Sequence, residues 1–223
     1  MKGKETLLLP PKEATTIHSS HALFSRKSRD EDNAFVITVA GLEPKVGATH
    51  LALSLAAKLS TRTDCGLIVP EDTFEALNQY YFLSTHSEGV GRRGEARRFA
   101  RIGGLTLMSG VLPGDISGFS ILVWDCGNLV TGQRCFARGD LACLVAGGQA
   151  WELTPLNAYL MTTPYKDLER VVLCLRGIEE EDYRFLQQQM AGKLRCVQVL
   201  HKPNWADSTL REDVGEVLKY AGL

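Results

Sequence analysis

The sequence has no long apolar run, almost no net charge and no paired cysteine motif, and each absence excludes a class of protein. None of its apolar runs reaches the about 18 residues that a membrane-spanning helix needs. The 25 basic and 26 acidic side chains leave a net charge of −1, which gives no general attraction to nucleic acid or anionic membranes. The six cysteines show no C-x-x-C spacing, so neither a disulfide framework nor a zinc site is indicated.

We therefore expect a cytoplasmic protein whose cysteines are reduced and buried. No apolar segment near the N-terminus is long enough for a signal peptide. Residues 1–33 are polar and contain the charged run RKSRDED, which predicts a flexible tail or a linker. Residues 34–223 are apolar enough to form a single domain with a sizeable core.

Strands and helices are predicted to alternate from residue 34 onward. This order is typical of an α/β fold in which helices cover both faces of a mostly parallel sheet. The strands are expected at Phe35–Ala40, Cys65–Asp72, Leu105–Ser109, Phe119–Asn128, Asp140–Gly147, Glu169–Ile178 and Leu194–Leu200. The helices are expected from Thr49 onward and at Thr73–Ser84, Trp151–Met161, Glu179–Met190 and Leu210–Tyr220.

The segment between the first strand and the first helix has the features of a phosphate-binding loop. Gly41 and Gly47 allow a tight turn, and the N-terminus of the following helix favours an anion. The usual pattern is G-x-x-x-x-G-K-[ST], and Gly47-Ala48-Thr49 matches its end except for the lysine. Thr49 occupies the position of the hydroxyl that holds Mg²⁺. The spacing between the two glycines is one residue longer than the pattern requires.

The stretch KVGATHLALSLAAKLS resembles the ParA/MinD-like, SIMIBI-class P-loop ATPases, whose loop is K-G-G-V-G-K-T-T. Aligned on the shared Val-Gly pair, the loop lysine falls on Ala48 and the extra signature lysine on Glu43. Within that group, the missing lysines make the chain resemble degenerate, CpaE/TadZ-like members. The resemblance implies a three-layer P-loop NTPase-like fold with a mostly parallel central sheet.

A second motif, FSILVWDCGN, ends an apolar strand at Asp125. In P-loop proteins such an aspartate holds Mg²⁺, and Gly127 resembles the D-x-G switch of the family. The alternative interpretation is that Asp125 only ends a strand and starts a turn. Glu71 and Asp72 follow the second predicted strand, where the family places a switch acid.

The resemblance implies ATP or ADP with Mg²⁺ as the ligand, although the sequence leaves open whether any nucleotide binds. Thr49 and Asp125 would be the magnesium ligands if Mg-nucleotide binds. The candidate loop residues are Gly41, Lys45, Gly47, Ala48, Thr49 and His50. His50 could instead pack in the core or face solvent, and Lys45 could substitute for the missing lysine.

Two classes of function remain open. A pseudo-ATPase would act as a scaffold or localisation factor, because the missing lysine removes charge that stabilises phosphoryl transfer. The alternative is a divergent but active ATPase or nucleotide switch. We expect a protein partner, which could be a second copy of the chain. Because Glu43 would repel phosphate, any dimer is expected to form without nucleotide, through apolar surface or the N-terminal segment.

A cluster of arginines is the one feature that could favour a nucleic-acid partner. It is interrupted by Glu95 and contains a single aromatic residue, Phe99, which is a poor signal for nucleic-acid binding and more typical of a solvated helix face or a mobile loop. The cluster consists of Arg92, Arg93, Arg97, Arg98 and Arg101.

Overall fold

The computed structural model describes residues 34–81, 83, 85–90, 96–102, 104–190, 194–199 and 212–223. The predicted tail at residues 1–33 lies outside these ranges, as do Arg92 and Arg93. No helix in the described ranges has both the length and the apolar content needed to cross a bilayer.

The described strands form one nine-stranded sheet. They are β1 (Phe35–Gly41), β2 (Cys65–Ile68), β3 (Thr85–Val90), β4 (Ala96–Ile102), β5 (Leu105–Ser109), β6 (Ile121–Asn128), β7 (Leu141–Gly147), β8 (Val171–Arg176) and β9 (Arg195–Val199). Their order across the sheet is β3-β4-β5-β2-β6-β1-β7-β8-β9. The pairings from β5 across to β9 are parallel, whereas β4 pairs antiparallel with both β3 and β5. The predicted α/β fold with a mostly parallel sheet is confirmed.

Helices cover both faces of this sheet. They are α1 (Ala48–Ser60), α2 (Glu71–Tyr81), α3 (Leu129–Phe136), α4 (Leu153–Thr162), α5 (Tyr165–Leu168), α6 (Glu180–Met190) and α7 (Glu212–Lys219). One apolar cluster joins the sheet to α1, α2 and α7, and a second joins it to α3, α4, α5 and α6. The sheet and the helices packed on each of its faces therefore form the three layers of the fold.

Strand β1 lies between β6 and β7, in the centre of the parallel part. Its sequence FVITVAG is rich in β-branched residues and is buried from Ile37 to Gly41, as expected of a strand covered on both faces. Val36 pairs with Leu122 and Val39 with Asp125 in parallel register. The predicted adjacency of the two motif strands is therefore confirmed, and both motifs end at the same sheet edge.

The cysteines are free and lie inside the molecule. Five of the six are buried, and only Cys135 in α3 is half-buried. Burial raises the pKa of the Cys65 and Cys196 thiols to about 12. The expectation of buried, unpaired cysteines is confirmed.

Three sequence-based predictions were wrong in detail. The strand starting at Cys65 ends at Ile68, and Glu71 begins α2 because two acidic residues in a first turn favour a helix N-terminus. The arginine-rich segment contains strand β4, not a helix face or loop, because β4 pairs with β3 and β5. Helix α3 was not predicted at all.

Candidate functional site

The carboxyl ends of β1, β6, β7 and β8 meet at one edge of the sheet. The loop of residues 42–47 joins β1 to α1 at this edge, and Leu42 N donates to Val145 O at the end of β7. In parallel α/β sheets this edge is where ligands bind. The candidate loop and Asp125 are thus brought together by the topology.

The loop follows the tight path that its glycines predict. Gly47 is the N-cap of α1 and has φ 97°, a conformation that favours glycine. A Cβ on Gly41 would stand 2.8 Å from Val46 Cγ2 and 2.9 Å from Glu43 O, so this close approach also requires glycine. Lys45 has φ 64° and is exposed. The first turn of α1 contains no acidic side chain, so its amides keep their attraction for an anion.

Ala48 occupies the first position of α1, where the loop lysine of P-loop proteins would stand. Its side chain is 8% exposed and belongs to the apolar cluster on the α1 face. The position therefore supplies packing instead of charge. His50, in the same helical turn, is half-buried and does not line the cavity that lies between the loop and the end of β8.

Thr49 and Asp125 are in direct contact. Thr49 Oγ1 donates to Asp125 Oδ2 at 2.6 Å, and Gly127 N donates to Asp125 Oδ1 at 2.9 Å. Asp125 is 1% exposed. Burial raises the pKa of its carboxyl group, and the two hydrogen bonds oppose this rise without cancelling it.

This oxygen pair fits a magnesium ion that is held together with phosphates. Mg²⁺ prefers oxygen ligands and usually takes one or two protein groups, the rest being phosphate oxygens and water. A hydroxyl and a carboxylate in contact supply such a pair. No group of three or more acidic, histidine or cysteine side chains in the described residues forms a separate metal cluster.

The two acids expected at the switch position differ in their surroundings. The charge of Asp72 contributes to the raised pKa of Asp125, whereas Glu71 is held by residues of β4 and β5. Glu71 Oε1 accepts from Arg98 Nη1 at 2.6 Å, and Glu71 Oε2 accepts from Ser109 Oγ at 2.6 Å. The hydrogen bond from Ser109 and the charge of Arg98 lower the pKa of Glu71. Arg98 also pairs with Glu75 and lies 4.8 Å from the Phe74 ring centroid. Arg98 thus holds α2 against β4.

A cavity of about 400 Å³ opens on the β8 side of the loop. Its lining residues are Glu43, Pro44, Lys45, Val46, Gly147, Gln149, Glu152, Arg176 and Gly177. Sequence reasoning named no residue at the end of β8 as part of this site. The opposite wall comes from the segments after β7 and β8, where Gln149 Nε2 donates to Gly177 O and Glu152 Oε2 accepts from Gln149 N at 3.0 Å.

Arg176 is the functional candidate that sequence reasoning missed. It is the last residue of β8, and its Nη1 lies 2.7 Å from the point where a Cβ on Gly47 would stand. Its Cδ and Cζ lie 3.5 Å from the same point. The guanidinium therefore lies against the loop glycine. The sequence signal that could have identified Arg176 was a positively charged residue near the end of a predicted strand.

Comparison with known proteins gives a fold but no close relative. No family model matches the chain, and no curated protein matches it. Among solved structures, a chain of the MinC:MinD cell division protein complex of Aquifex aeolicus has a TM-score of 0.57 and 13% identity, covering 85% of this chain and 97% of that one. A plasmid partition protein of Borrelia burgdorferi has a TM-score of 0.54 and 13% identity, covering 85% and 99%.

A putative plasmid partition protein of Borrelia burgdorferi, solved with bound AMPPNP, has a TM-score of 0.53 and 12% identity and covers 85% of this chain and 98% of that one. The chain therefore has the three-layer fold of the ParA/MinD-like P-loop ATPases, as the loop and the second motif predict. At these identities the likeness concerns the fold.

Proposed function

We propose that this chain is a degenerate P-loop ATPase-like protein that has lost, or keeps only weakly, nucleotide hydrolysis and acts as a scaffold or localisation factor. The observation that carries the proposal is Ala48. A buried methyl group stands where catalysis needs a cation on the phosphates. Because phosphoryl transfer depends mainly on positioning and charge stabilisation, this loss costs several kcal/mol at the transition state.

The environment of Glu71 supports the same conclusion. Both of its carboxylate oxygens are engaged, one by Arg98 and one by Ser109. These contacts tie Glu71 to β4 and β5, so a switch movement of this acid would have to break both of them. The charge of Arg98 is likewise used within the protein and supports no nucleic-acid contact through this side chain.

A protein partner, either another protein or a second copy of this chain, is part of the proposal. Val130 and Trp151 are 85% and 74% exposed, although both are large apolar side chains. They begin the segments that follow β6 and β7, so both lie at the edge of the sheet that carries the loop. Large apolar side chains that are exposed at the edge carrying the candidate site are consistent with an interaction surface there. One of the similar folds belongs to a two-protein complex, MinC:MinD.

The proposal is tested by measuring Mg²⁺-dependent ATP turnover of the full chain beside the Asp125→Asn variant. We expect no steady turnover in the wild type above that of the variant. The Ala48→Lys variant is expected to strengthen ATP binding, because it adds a cation at the phosphates. Wild-type turnover that Asp125→Asn abolishes would contradict the proposal.

The second candidate function is a divergent but active ATPase, and one observation favours it. The 2.6 Å contact between Thr49 and Asp125 retains the oxygen pair that suits Mg²⁺. A scaffold that needs no nucleotide has no use for this pair. The turnover assay separates the two candidates, since only the second predicts hydrolysis that depends on Asp125.

A further inference from the structure

Arg176 reaches the phosphate loop from a different part of the sheet. Its backbone pairs with Gly147 in β7 and with Val199 in β9. Its side chain crosses the end of β7 to Gly47, the N-cap of α1. A residue about 130 positions from the loop in sequence thus supplies a guanidinium beside the first amides of the helix.

Other positive groups surround the guanidinium of Arg176. Arg176 makes no ion pair with any carboxylate of the described residues. It stands at a helix N-terminus, which carries a partial positive charge, and Lys45 lines the same cavity. An anion placed between these groups would interact favourably with all of them.

The cavity also contains two acids, which limit where such an anion can bind. Glu152 is held by its hydrogen bond from Gln149 N and packs over Gly147. Glu43 lines the wall formed by the loop. The favourable position is therefore beside Gly47 and Arg176, away from Glu43.

We propose that Arg176 replaces the missing loop lysine and that its guanidinium binds the diphosphate part of a nucleotide at the N-terminus of α1. A guanidinium presents paired N–H donors whose geometry matches phosphate oxygens. This inference rests on the proposed function in one respect, since it takes the degenerate loop as a site that still binds nucleotide. A glycine is then required at position 47 for two reasons: its backbone has a positive φ, and Arg176 occupies the space where a Cβ would stand.

The test is calorimetric titration of the full chain with pyrophosphate, with ATP and with adenosine, each in the presence of Mg²⁺. We expect pyrophosphate and ATP to bind and adenosine, which has no phosphate, not to bind. Arg176→Ala should weaken both phosphate ligands at least tenfold. Arg176→Lys should retain part of the affinity, because it keeps the charge and loses the paired donors.

The matched control is Arg184→Ala. Arg184 is 71% exposed on α6 and, among the residues that the structure describes, forms an ion pair with Glu180 alone, at 2.9 Å, so its removal should leave binding unchanged. Circular dichroism and thermal unfolding check that each variant is folded. If Arg176→Ala does not fold, Arg176→Lys and Gly47→Ala still decide the question, since both disturb the same contact.

Three results would overturn the inference. The first is that Arg176→Ala binds pyrophosphate and ATP as tightly as the wild type does. The second is that this variant binds them more tightly, which would mean that Arg176 blocks the loop. The third is that the wild type does not bind pyrophosphate at millimolar concentration. Turnover in the ATPase assay would overturn the proposed function and leave this inference standing. If Arg176→Ala binds the phosphate ligands as the wild type does and no turnover is observed, this inference fails and the proposed function stands.

Discussion

Replacing Gly47 with alanine should separate the backbone strain of the loop from its contact with Arg176. Gly47 has φ 97°, and an added Cβ would stand 2.7 Å from Arg176 Nη1. Gly118 provides a matched control, because its φ is 87° and a Cβ there would meet no atom within 4 Å. Both substitutions strain the backbone, but only Gly47→Ala displaces a side chain.

The strain cost follows from the left-handed backbone conformation. An L-residue with a Cβ pays about 1–2 kcal/mol there compared with glycine. The contact with Arg176 adds little to the cost of folding, because it involves the far end of a flexible side chain. Both variants should therefore lose about 1–2 kcal/mol, and each kcal/mol lowers Tm by about 2–4 °C in a chain of this size.

Thermal unfolding and pyrophosphate titration are the two assays. The variants should have similar Tm values, both below that of the wild type, whereas only Gly47→Ala should lose phosphate affinity. Equal affinity of Gly47→Ala and wild type would refute the placement of Arg176 as a phosphate ligand. A far larger loss of Tm in Gly47→Ala than in Gly118→Ala would show that Arg176 is held rigidly.

Three further predictions concern stability and assembly. Asp125→Asn should stabilise the protein at pH 7, because the raised pKa of Asp125 means that its charged form opposes folding. The stability of the wild type therefore falls as the pH rises through that pKa. The stability gained by the variant, measured by urea unfolding, should shrink towards pH 4, where Asp125 becomes protonated. Arg98→Ala should cost about 1–2 kcal/mol, because it removes two partly exposed ion pairs and the contact with Phe74, whereas Arg184→Ala should cost almost nothing in the same unfolding assay. Light scattering at several protein concentrations should show any dimer equally with and without ATP–Mg²⁺, and dimerisation only on adding ATP would contradict the pseudo-ATPase proposal.

The central motifs could be predicted from sequence because their signals are local. The run FVITVAG is apolar and β-branched, and the helix after it is rich in alanine and leucine. The strand that ends at Asp125 has the same character. Parallel strands place their carboxyl ends together, so the meeting of Thr49 and Asp125 followed from topology.

Other features depend on contacts that local sequence does not report. Helix α3 contains Gly132, a poor helix former, but a Cβ there would stand 2.1 Å from Cys126 O, so close packing on β6 requires glycine. Strand β4 is stabilised by its neighbours and by Arg98 contacts with α2. The approach of Arg176 to Gly47 spans three strands of the sheet, β1, β7 and β8, which no spacing rule anticipates.

The burial of the cysteines makes the native protein selectively reactive towards thiol reagents. Cys126 and Cys135 both line a cavity of about 250 Å³ that Asp125 and Glu71 also line, but Cys126 and the other four thiols are buried and only Cys135 is half-buried. Burial also raises the pKa of the Cys126 thiol, which keeps it protonated. A maleimide dye should therefore label the folded wild-type chain mainly at this one position, without any engineered residue. The attached dye would lie beside the end of β6 and report by fluorescence on partners that approach this edge of the sheet.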